Sequence, residues 1–468
     1  MLTSVRQTQA PPLVWVAVNP ARGAVAGSRA MSRRDSVYFT AFLVALLLCW
    51  CPFKAAAYVA PALCMAWVTV LGPSVVVLRR VLAMGLAASV VILMHAWLND
   101  AFVLSSAILA VVTYSGVGLL WAFPTKDLLN PRLLRRMTSA TCAMVLLQCA
   151  VGFVQGIYGY SIGGSFDGGN GDIVQGTIYP YLHGDHAFAN PMYGASVALM
   201  VVSLIPGVRG RRLYALAIGM GAVALVLASV LHQLTYLMLA LALAYLWARP
   251  RLPVSRAAVS LVGFCVLTLL LSAALVPGNL ASFRDVATGF LQGRSPRRVM
   301  LERVVSDMPA QYPYMPVVGL GPGQFSSRAA LMNTGFYFGS PLAPKDFSPI
   351  LRNAVPEPMR ESLVPLLFSS AGQKYYGSSQ RPYFGWLSVY TEFGGPGALF
   401  AALTIGVALW RLPRRAKVVS VGLLSFSCAC MILFIALIAF QENYWEVPQA
   451  VLPGLLLVKV MHAQATHR

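Results

Sequence analysis

Charged residues are scarce in this sequence. They make up 11% of its 468 residues, while 58% of the residues are hydrophobic. Soluble domains carry roughly a quarter charged residues. A soluble fold of this length could not bury so much apolar surface, so the composition excludes an ordinary water-soluble protein and predicts an integral membrane protein.

The polar segments lack cysteine, because all eight cysteines lie within apolar stretches. This distribution argues against a disulfide framework and against a zinc site. Residues 1–35 lack both apolar periodicity and the layout of a signal peptide, so we expect a disordered cytoplasmic tail. Met31 stands just before the first apolar run, and translation could therefore start at Met1 or at Met31.

The chain has long apolar runs. Runs of about 18 to 25 residues can cross a hydrocarbon core of roughly 30 Å as helices. The sequence predicts an all-α, polytopic membrane protein with about 12 transmembrane helices. Nine spans are placed within 36–277 and three within 385–468, ahead of a short cytoplasmic tail. They lie near 36–53, 55–78, 81–98, 101–123, 137–157, 188–208, 213–230, 233–248, 257–277, 385–410, 418–440 and 444–462.

Basic residues are unevenly distributed along the chain. A formal net charge of +20 would fit a nucleic-acid-binding protein, but the basic residues concentrate in every second connection between spans. Short cytoplasmic loops are enriched in this way, so the pattern predicts a cytoplasmic amino terminus and no nucleic-acid partner. The clusters are Arg79 and Arg80; Lys126, Arg132, Arg135 and Arg136; Arg209, Arg211 and Arg212; Arg249, Arg251 and Arg256; Arg411, Arg414, Arg415 and Lys417.

Two connections are too long to be simple turns, and both are predicted on the exoplasmic face. Residues 158–187 are rich in Gly, Tyr and His, and residues 278–384 contain no run long enough to span. Connections of this length within a compact domain are usually functional.

The larger loop contains many basic residues. The guanidinium group of arginine suits phosphate or carboxylate, because it donates two parallel hydrogen bonds. The group 294–303 therefore indicates either an anionic ligand, such as the diphosphate of a lipid-linked donor, or solvated arginines balanced by nearby acids. The basic residues are Arg284, Arg294, Arg297, Arg298, Arg303, Arg328, Lys345, Arg352, Arg360, Lys374 and Arg381.

Further candidates each have a structural alternative. Gly321 and Gly323, in VVGLGPGQF, could let backbone amides approach a phosphate or could form a tight turn. His183 and His186 flank Asp185 and could act as a general base or form a polar interfacial turn.

Three acidic residues lie close to predicted spans. Glu392 stands at the start of a span, where a carboxylate needs a partner, and could be functional or a structural hydrogen-bond acceptor. Glu442 and Glu446 lie beside Tyr444 and Trp445, a pattern typical of solvated acids at an aromatic belt.

The order of these motifs resembles that of the O-antigen ligase and O-antigen polymerase (Wzy-like) family of bacterial envelope glycosyltransferases. The resemblance covers most of the chain after residue 137. Its motifs are Gly176 and Thr177; Phe188 to Gly194; Gly293 and Arg294; the turn with Gly319, Gly321, Gly323 and Phe325; and Trp386, Leu387, Glu392, Gly394 and Gly397.

The resemblance implies a GT-C-like fold in the bacterial inner membrane, with short helices in one large periplasmic loop. It also implies transfer of a glycan from an undecaprenyl-diphosphate carrier to a sugar hydroxyl at the periplasmic face, without metal or other cofactor. The implied partners are the undecaprenyl-diphosphate-linked glycan and membrane lipid, and a chain-length regulator could be a further partner.

Departures from the family pattern affect the expected roles. Tyr383 stands where ligases of the family have a catalytic histidine, and His232 and Gln233 replace an expected arginine. These differences favour a polymerase of repeat units over a ligase. The diphosphate is expected to contact Arg294, Arg297, Arg298 and Arg303, with Arg381 next. The base is expected among Tyr383, His183, His186 and Glu392, although a tyrosine pKa near 10 is unfavourable.

Two rival functions belong to other classes. A lipid-linked oligosaccharide flippase would show ionisable residues at mid-span and internal repeats, and this sequence has hardly any of the former and no matching halves. A non-enzymatic scaffold whose exoplasmic loop binds partners fits an arginine-rich loop as well.

Overall fold

The structure is a computed structural model that describes residues 31–72, 74–163, 173–179, 189–228, 230–248, 277–337, 354–369, 381–414 and 418–467, with a few residues between 263 and 275. Within these residues all regular secondary structure is helical, and none of them forms a strand. The predicted all-α class is confirmed. Residues 1–30 of the predicted disordered tail 1–35 lie outside the described residues, and its end is wrong, because a helix begins at Arg33.

The helices are numbered here in chain order. The longer ones are α1 (Arg33–Cys49), α2 (Lys54–Leu71), α3 (Val75–Leu98), α4 (Leu104–Ala122), α5 (Pro131–Gly163), α6 (Ala189–Leu204), α7 (Arg212–Leu227), α8 (Leu231–Ala248) and α9 (Pro277–Leu291). Short helices follow in the large loop: α10 (Pro296–Glu302), α11 (Met308–Gln311), α12 (Met315–Val318), α13 (Arg328–Asn333) and α14 (Val364–Phe368). The chain ends with α15 (Gly385–Trp410), α16 (Val419–Ile438) and α17 (Pro448–Thr466).

Seven helices of the described part are long and apolar enough to cross a membrane: α2, α3, α4, α5, α6 extended to Val208, α15 and α16. Helices α7 and α8 are apolar but shorter. The predicted span 257–277 falls mostly outside the described residues. A polytopic membrane protein is therefore supported, while the count of about 12 spans stays a prediction.

Some predicted boundaries are wrong. Helix α5 runs from Pro131 to Gly163, so the first residues of the predicted loop 158–187 are helical. The last helix begins at Pro448 instead of residue 444, because Tyr444–Glu446 form a separate 3-10 turn. Proline at the first helical position loses no intrahelical hydrogen bond, which explains why α17 starts there.

Helix α3 exposes a long apolar face at the surface of the bundle. Only Val77 and His95 of its 24 residues are buried. Its exposed apolar side chains include Leu78, Leu82, Leu86, Val90, Leu93 and Trp97. A soluble protein rarely exposes a continuous apolar face of this extent, whereas hydrocarbon solvates it without cost.

The bundle has two chemically different ends. At the basic end, Arg34 pairs with Asp127 at 3.2 Å and the amide of Asn130 donates to Asp35 at 2.8 Å. At the other end, which we call the loop end, residues 315–334 of the large loop pack against α3, α4, α15 and the α16–α17 connection. The separation agrees with the charge pattern of the connections.

Candidate functional site

A turn of the large loop lies against the start of α15. The backbone amide of Leu320 donates to the carbonyl of Thr391 at 2.8 Å, and that of Gly321 donates to the carbonyl of Glu392 at 3.0 Å. The glycine turn and the segment that begins α15 are about 70 residues apart in the chain, as their numbering shows. The fold therefore brings two of the sequence motifs into direct contact.

The side chain of Glu392 fills this turn. Its carboxylate accepts hydrogen bonds from the backbone amides of Gly323 at 2.7 Å, Phe325 at 3.2 Å and Ser327 at 3.0 Å. Converging amides of this kind form an anion-binding concavity. Because the protein's own carboxylate occupies it, the geometry favours the structural alternative for Gly321, Gly323 and Glu392 over phosphate binding and base catalysis.

The turn requires glycine where it meets its neighbours. Gly323 has a φ of +74°, and a Cβ built on it would lie 2.3 Å from the backbone oxygen of Ser106 in α4. Gly319, with a φ of +83°, would place a Cβ 2.3 Å from the carbonyl of Glu392. Only a residue without Cβ permits both the backbone conformation and the close approach.

A completely buried ion pair lies next to this turn. The guanidinium of Arg328 donates to the carboxylate of Glu442, and both side chains are fully buried. The ring of Tyr337 lies 4.9 Å from the guanidinium carbon of Arg328. The expectation of a solvated acid at residue 442 is wrong, because the large loop and the α16–α17 connection cover it.

Glu446 is buried as well, which corrects the same expectation for this residue. Its carboxylate accepts from the backbone amide of Arg328 at 2.6 Å and from the hydroxyl of Tyr114 at 3.0 Å. Burial, followed by the charge of Glu392, raises the pKa of Glu446 to about 8. Glu446 therefore keeps its proton at neutral pH and adds little negative charge to the region.

Two of the predicted diphosphate ligands meet at the loop end. The Nε of Arg297 donates to the carbonyl of Arg381 at 3.2 Å, and its Nη1 donates to the carbonyl of Phe440 at 3.2 Å. A further bond runs from Arg297 to the carbonyl of Gln441. Phe440 and Gln441 follow the end of α16 at Ile438, so Arg297 fastens the loop to the α16–α17 connection.

We call Arg297, Arg328, Arg381, Tyr383 and Glu442 the arginine cluster. The charge of Glu442 acts on both Arg297 and Arg328, and Arg381 donates to the Tyr383 hydroxyl. The charges of Arg328 and Glu442 cancel, so Arg297 and Arg381 leave the cluster positive. Both residues are only partly buried, but the protein covers the Nε and Nη2 of Arg381. The bond from the Nη1 of Arg297 to Phe440 lies at the surface, so an anion can approach the cluster there.

Tyr383 does not suit the role of base. Burial raises the pKa of its hydroxyl, and the neighbouring Arg381 charge opposes that rise only in part. The hydroxyl accepts a hydrogen bond from Arg381. This geometry makes Tyr383 a residue that positions Arg381.

His232 lies near the arginine cluster, at the amino end of α8. The charge of Arg297 acts on its ring, and Tyr236, one turn further along α8, interacts electrostatically with the same arginine. The sequence pattern assigned no role to His232. Its proximity depends on the packing of α8 beside α16 and on the path of the large loop, neither of which local sequence reveals.

The other predicted ligands lie elsewhere. Arg294 is exposed, and Arg298 pairs with Glu302 at 2.9 Å on the surface of α10. Arg303 donates to the carbonyl of Ser362 at 2.9 Å, which joins two parts of the loop. The predicted group 294–303 is therefore divided, and only Arg297 belongs to the cluster. His183 and His186 lie outside the described residues.

Within the described part of the chain, no three His, Cys, Asp or Glu side chains are grouped in a way that could hold a metal ion. No protein-family model matches this sequence, and no curated protein sequence matches it. The resemblance to the O-antigen ligase and polymerase family therefore stays a prediction drawn from short motifs.

Proposed function

We propose that this protein is a membrane glycosyltransferase that joins undecaprenyl-diphosphate-linked repeat units into O-antigen or exopolysaccharide at the periplasmic face of the bacterial inner membrane. The observation that carries the proposal is the arginine cluster at the loop end. There, two partly buried arginines, Arg297 and Arg381, adjoin a buried and electrically neutral Arg328–Glu442 pair.

The reaction makes modest demands on the protein. The acceptor hydroxyl must be held in line, its proton must be removed, and the leaving diphosphate must be stabilised. Fixed donors that point to the developing charge contribute most to such a step, and they do so without metal. Arg297 and Arg381 are suited to this role because hydrogen bonds to backbone carbonyls and to Tyr383 fix their orientation beforehand.

The lipid part of the carrier needs an apolar surface beside the arginines. Phe440 is 48% exposed and stacks on Phe384 with ring centroids 6.3 Å apart. The guanidinium of Arg297 lies 5.4 Å from the ring of Phe384. A diphosphate at Arg297 would therefore have its polyprenyl chain next to aromatic side chains at the membrane edge.

His232 is the described residue best placed to accept the acceptor proton. Burial, followed by the charge of Arg297, lowers the pKa of His232 to about 4. Its ring is therefore neutral at pH 7 and free of a proton at one nitrogen, but it is a weaker base than an ordinary imidazole. His183 and His186 remain alternatives from the sequence. Ligase activity towards a lipid or protein acceptor would use the same machinery, so the acceptor decides between the two activities.

The proposal is tested with purified protein in proteoliposomes that contain undecaprenyl-diphosphate-linked repeat units. The unaltered protein should extend the lipid-linked chain, and Arg381→Ala should lower the rate by about 10²-fold or more, since one electrostatic donor is lost. Arg298→Ala is the matched control, because Arg298 lies on the same loop but pairs at the surface with Glu302. Its rate should stay within about twofold of the unaltered protein.

The products separate the rival functions. Chain growth supports a polymerase, whereas capping of an acceptor lipid without chain growth supports a ligase. Translocation of the lipid-linked unit with neither product would support a flippase. Equal rates for Arg381→Ala and Arg298→Ala would contradict the role of the arginine cluster.

A further inference from the structure

A lysine lies inside the last helix of the bundle. Lys459 is seven residues before the end of α17 at Thr466, which corresponds to about 10 Å along a helix axis. Its side chain is partly buried. The enrichment of basic residues in cytoplasmic connections explains charges between helices, but it does not explain a lysine within one.

Other basic residues lie near Lys459. The charges of Arg80 in α3 and of Arg411, just after α15, act on its ammonium group. His462, almost one turn further along α17, experiences Lys459, Arg411 and His467. Its Nε2 lies 2.9 Å from the carbonyl oxygen of Ala408, which holds α17 beside α15 at this point. We call Arg80, Arg411, Lys459 and His462 the lysine cluster.

No described carboxylate at the basic end compensates these charges. Asp127 pairs with Arg34 at 3.2 Å, and Asp35 accepts hydrogen bonds from the amide of Ser32 at 2.9 Å and from Asn130 at 2.8 Å. The Asp and Glu side chains outside the described residues all belong to the two long connections predicted on the opposite face: Asp167, Asp172, Asp185 and Asp346. Lys459 and Arg80 are partly buried, and Arg411 is exposed beside them, so the three positive charges favour an anion from outside the chain.

The surroundings indicate the source of this anion. Arg80 lies 5.6 Å from the ring of Trp121, and Arg414 lies between the rings of Trp247 and Trp410, at 4.3 Å and 4.4 Å. Trp410 is 69% exposed. Tryptophans beside cations at helix ends mark the depth of the lipid headgroups.

We propose that the phosphate of an anionic phospholipid binds the lysine cluster, between the ends of α3, α15 and α17 at the basic end of the bundle. The phosphate oxygens accept from Lys459 and the two arginines, and the acyl chains lie along the exposed apolar faces of α3 and α15. Leu82 and Val407 contribute to these faces. The site is separate from the arginine cluster and does not depend on glycosyl transfer.

The test is native mass spectrometry of the purified full-length chain, released from nanodiscs of phosphatidylglycerol or of phosphatidylcholine. We expect phosphatidylglycerol to be retained preferentially. Lys459→Met should weaken that retention about fivefold, since one membrane-facing cation contributes about 1 kcal/mol to the binding of anionic lipid. The substitution removes a charge while keeping an unbranched side chain, so the helix should remain intact. Arg411→Gln, at an exposed position, serves as the second variant and should have a similar effect.

Arg136→Gln is the control, because Arg136 is an exposed arginine near the start of α5 and is not among the charges that act on Lys459. It should retain phosphatidylglycerol like the unaltered chain. Equal retention of the two lipids, or equal losses for Lys459→Met and Arg136→Gln, would overturn the proposal. Displacement of the lipid by millimolar inorganic phosphate would also overturn it, since the site would then recognise free phosphate and not a headgroup.

Discussion

At the scale of single residues, the Arg328–Glu442 pair is the most consequential charge interaction of the loop end. Removing one partner of a buried pair leaves the other charge without compensation and costs about 3 to 5 kcal/mol. We therefore predict that Arg328→Ala lowers the midpoint of thermal unfolding in detergent strongly. Arg328→Met combined with Glu442→Leu should recover much of that loss, because two apolar side chains replace the pair without leaving a charge.

The exposed pair between Arg298 and Glu302 provides the control for this prediction. The two side chains are 41% and 61% exposed and form the same kind of ion pair at 2.9 Å. Surface pairs contribute at most about 1 kcal/mol. Arg298→Ala should therefore shift the midpoint little. A shift as large as that of Arg328→Ala would show that burial is not what distinguishes the two pairs.

At the scale of elements, the turn of residues 319–325 joins the large loop to α4 and α15. We predict that Gly323→Ala destabilises the protein by clearly more than Gly293→Ala. Both glycines have a φ of +74°, but a Cβ at Gly293 meets no atom within 4 Å, whereas at Gly323 it meets backbone of α4. Backbone strain of about 1 to 2 kcal/mol applies to both, and the steric conflict applies to Gly323 alone.

The difference between these two variants measures the contact between the turn and α4. Thermal unfolding midpoints, recorded in the same detergent, give the comparison directly. If the two variants lose equal stability, the turn does not pack on the backbone of Ser106 as the structure describes.

At the scale of the whole molecule, the arrangement across the membrane can be measured. Arg360 lies in the large loop and Arg136 near the basic end, and both are exposed. We predict that a cysteine at residue 360 reacts with a membrane-impermeant thiol reagent in intact cells whose outer membrane has been permeabilised. A cysteine at residue 136 should react only after the inner membrane is opened.

The native chain provides the background for this measurement. Among the described cysteines only Cys51 is partly exposed, and the others are buried. Cys265 lies outside the described residues, so both Cys51 and Cys265 are replaced with serine to give a parent chain with little labelling. The reverse order of reactivity at residues 136 and 360 would place the large loop in the cytoplasm and would contradict the proposed function as well.

The sequence predicted only some of the residues that form the candidate site. The sequence identified the motifs with Gly321 and Glu392 but did not predict that they are in contact. The two are about 70 residues apart, and no local pattern specifies which turn a carboxylate will bind. Arg297 and Arg381 were selected for their chemistry and do meet, whereas Arg298, of the same type and next in the chain, faces outward on α10. Arg328, Glu442 and His232 received no functional role from the sequence, since burial and packing give them their importance.

The sequence by itself determined that this protein is an all-helical membrane protein and which connections are basic. Hydrophobic run length and charge order are local properties, and a bilayer responds to them segment by segment. Only the tertiary structure decided which charged side chains find a partner inside the protein. Glu392 is bound by backbone amides of the glycine turn and Arg328 by Glu442, whereas no described acid pairs with Lys459. Those pairings arise from contacts between distant segments, which the order of residues along the chain does not specify.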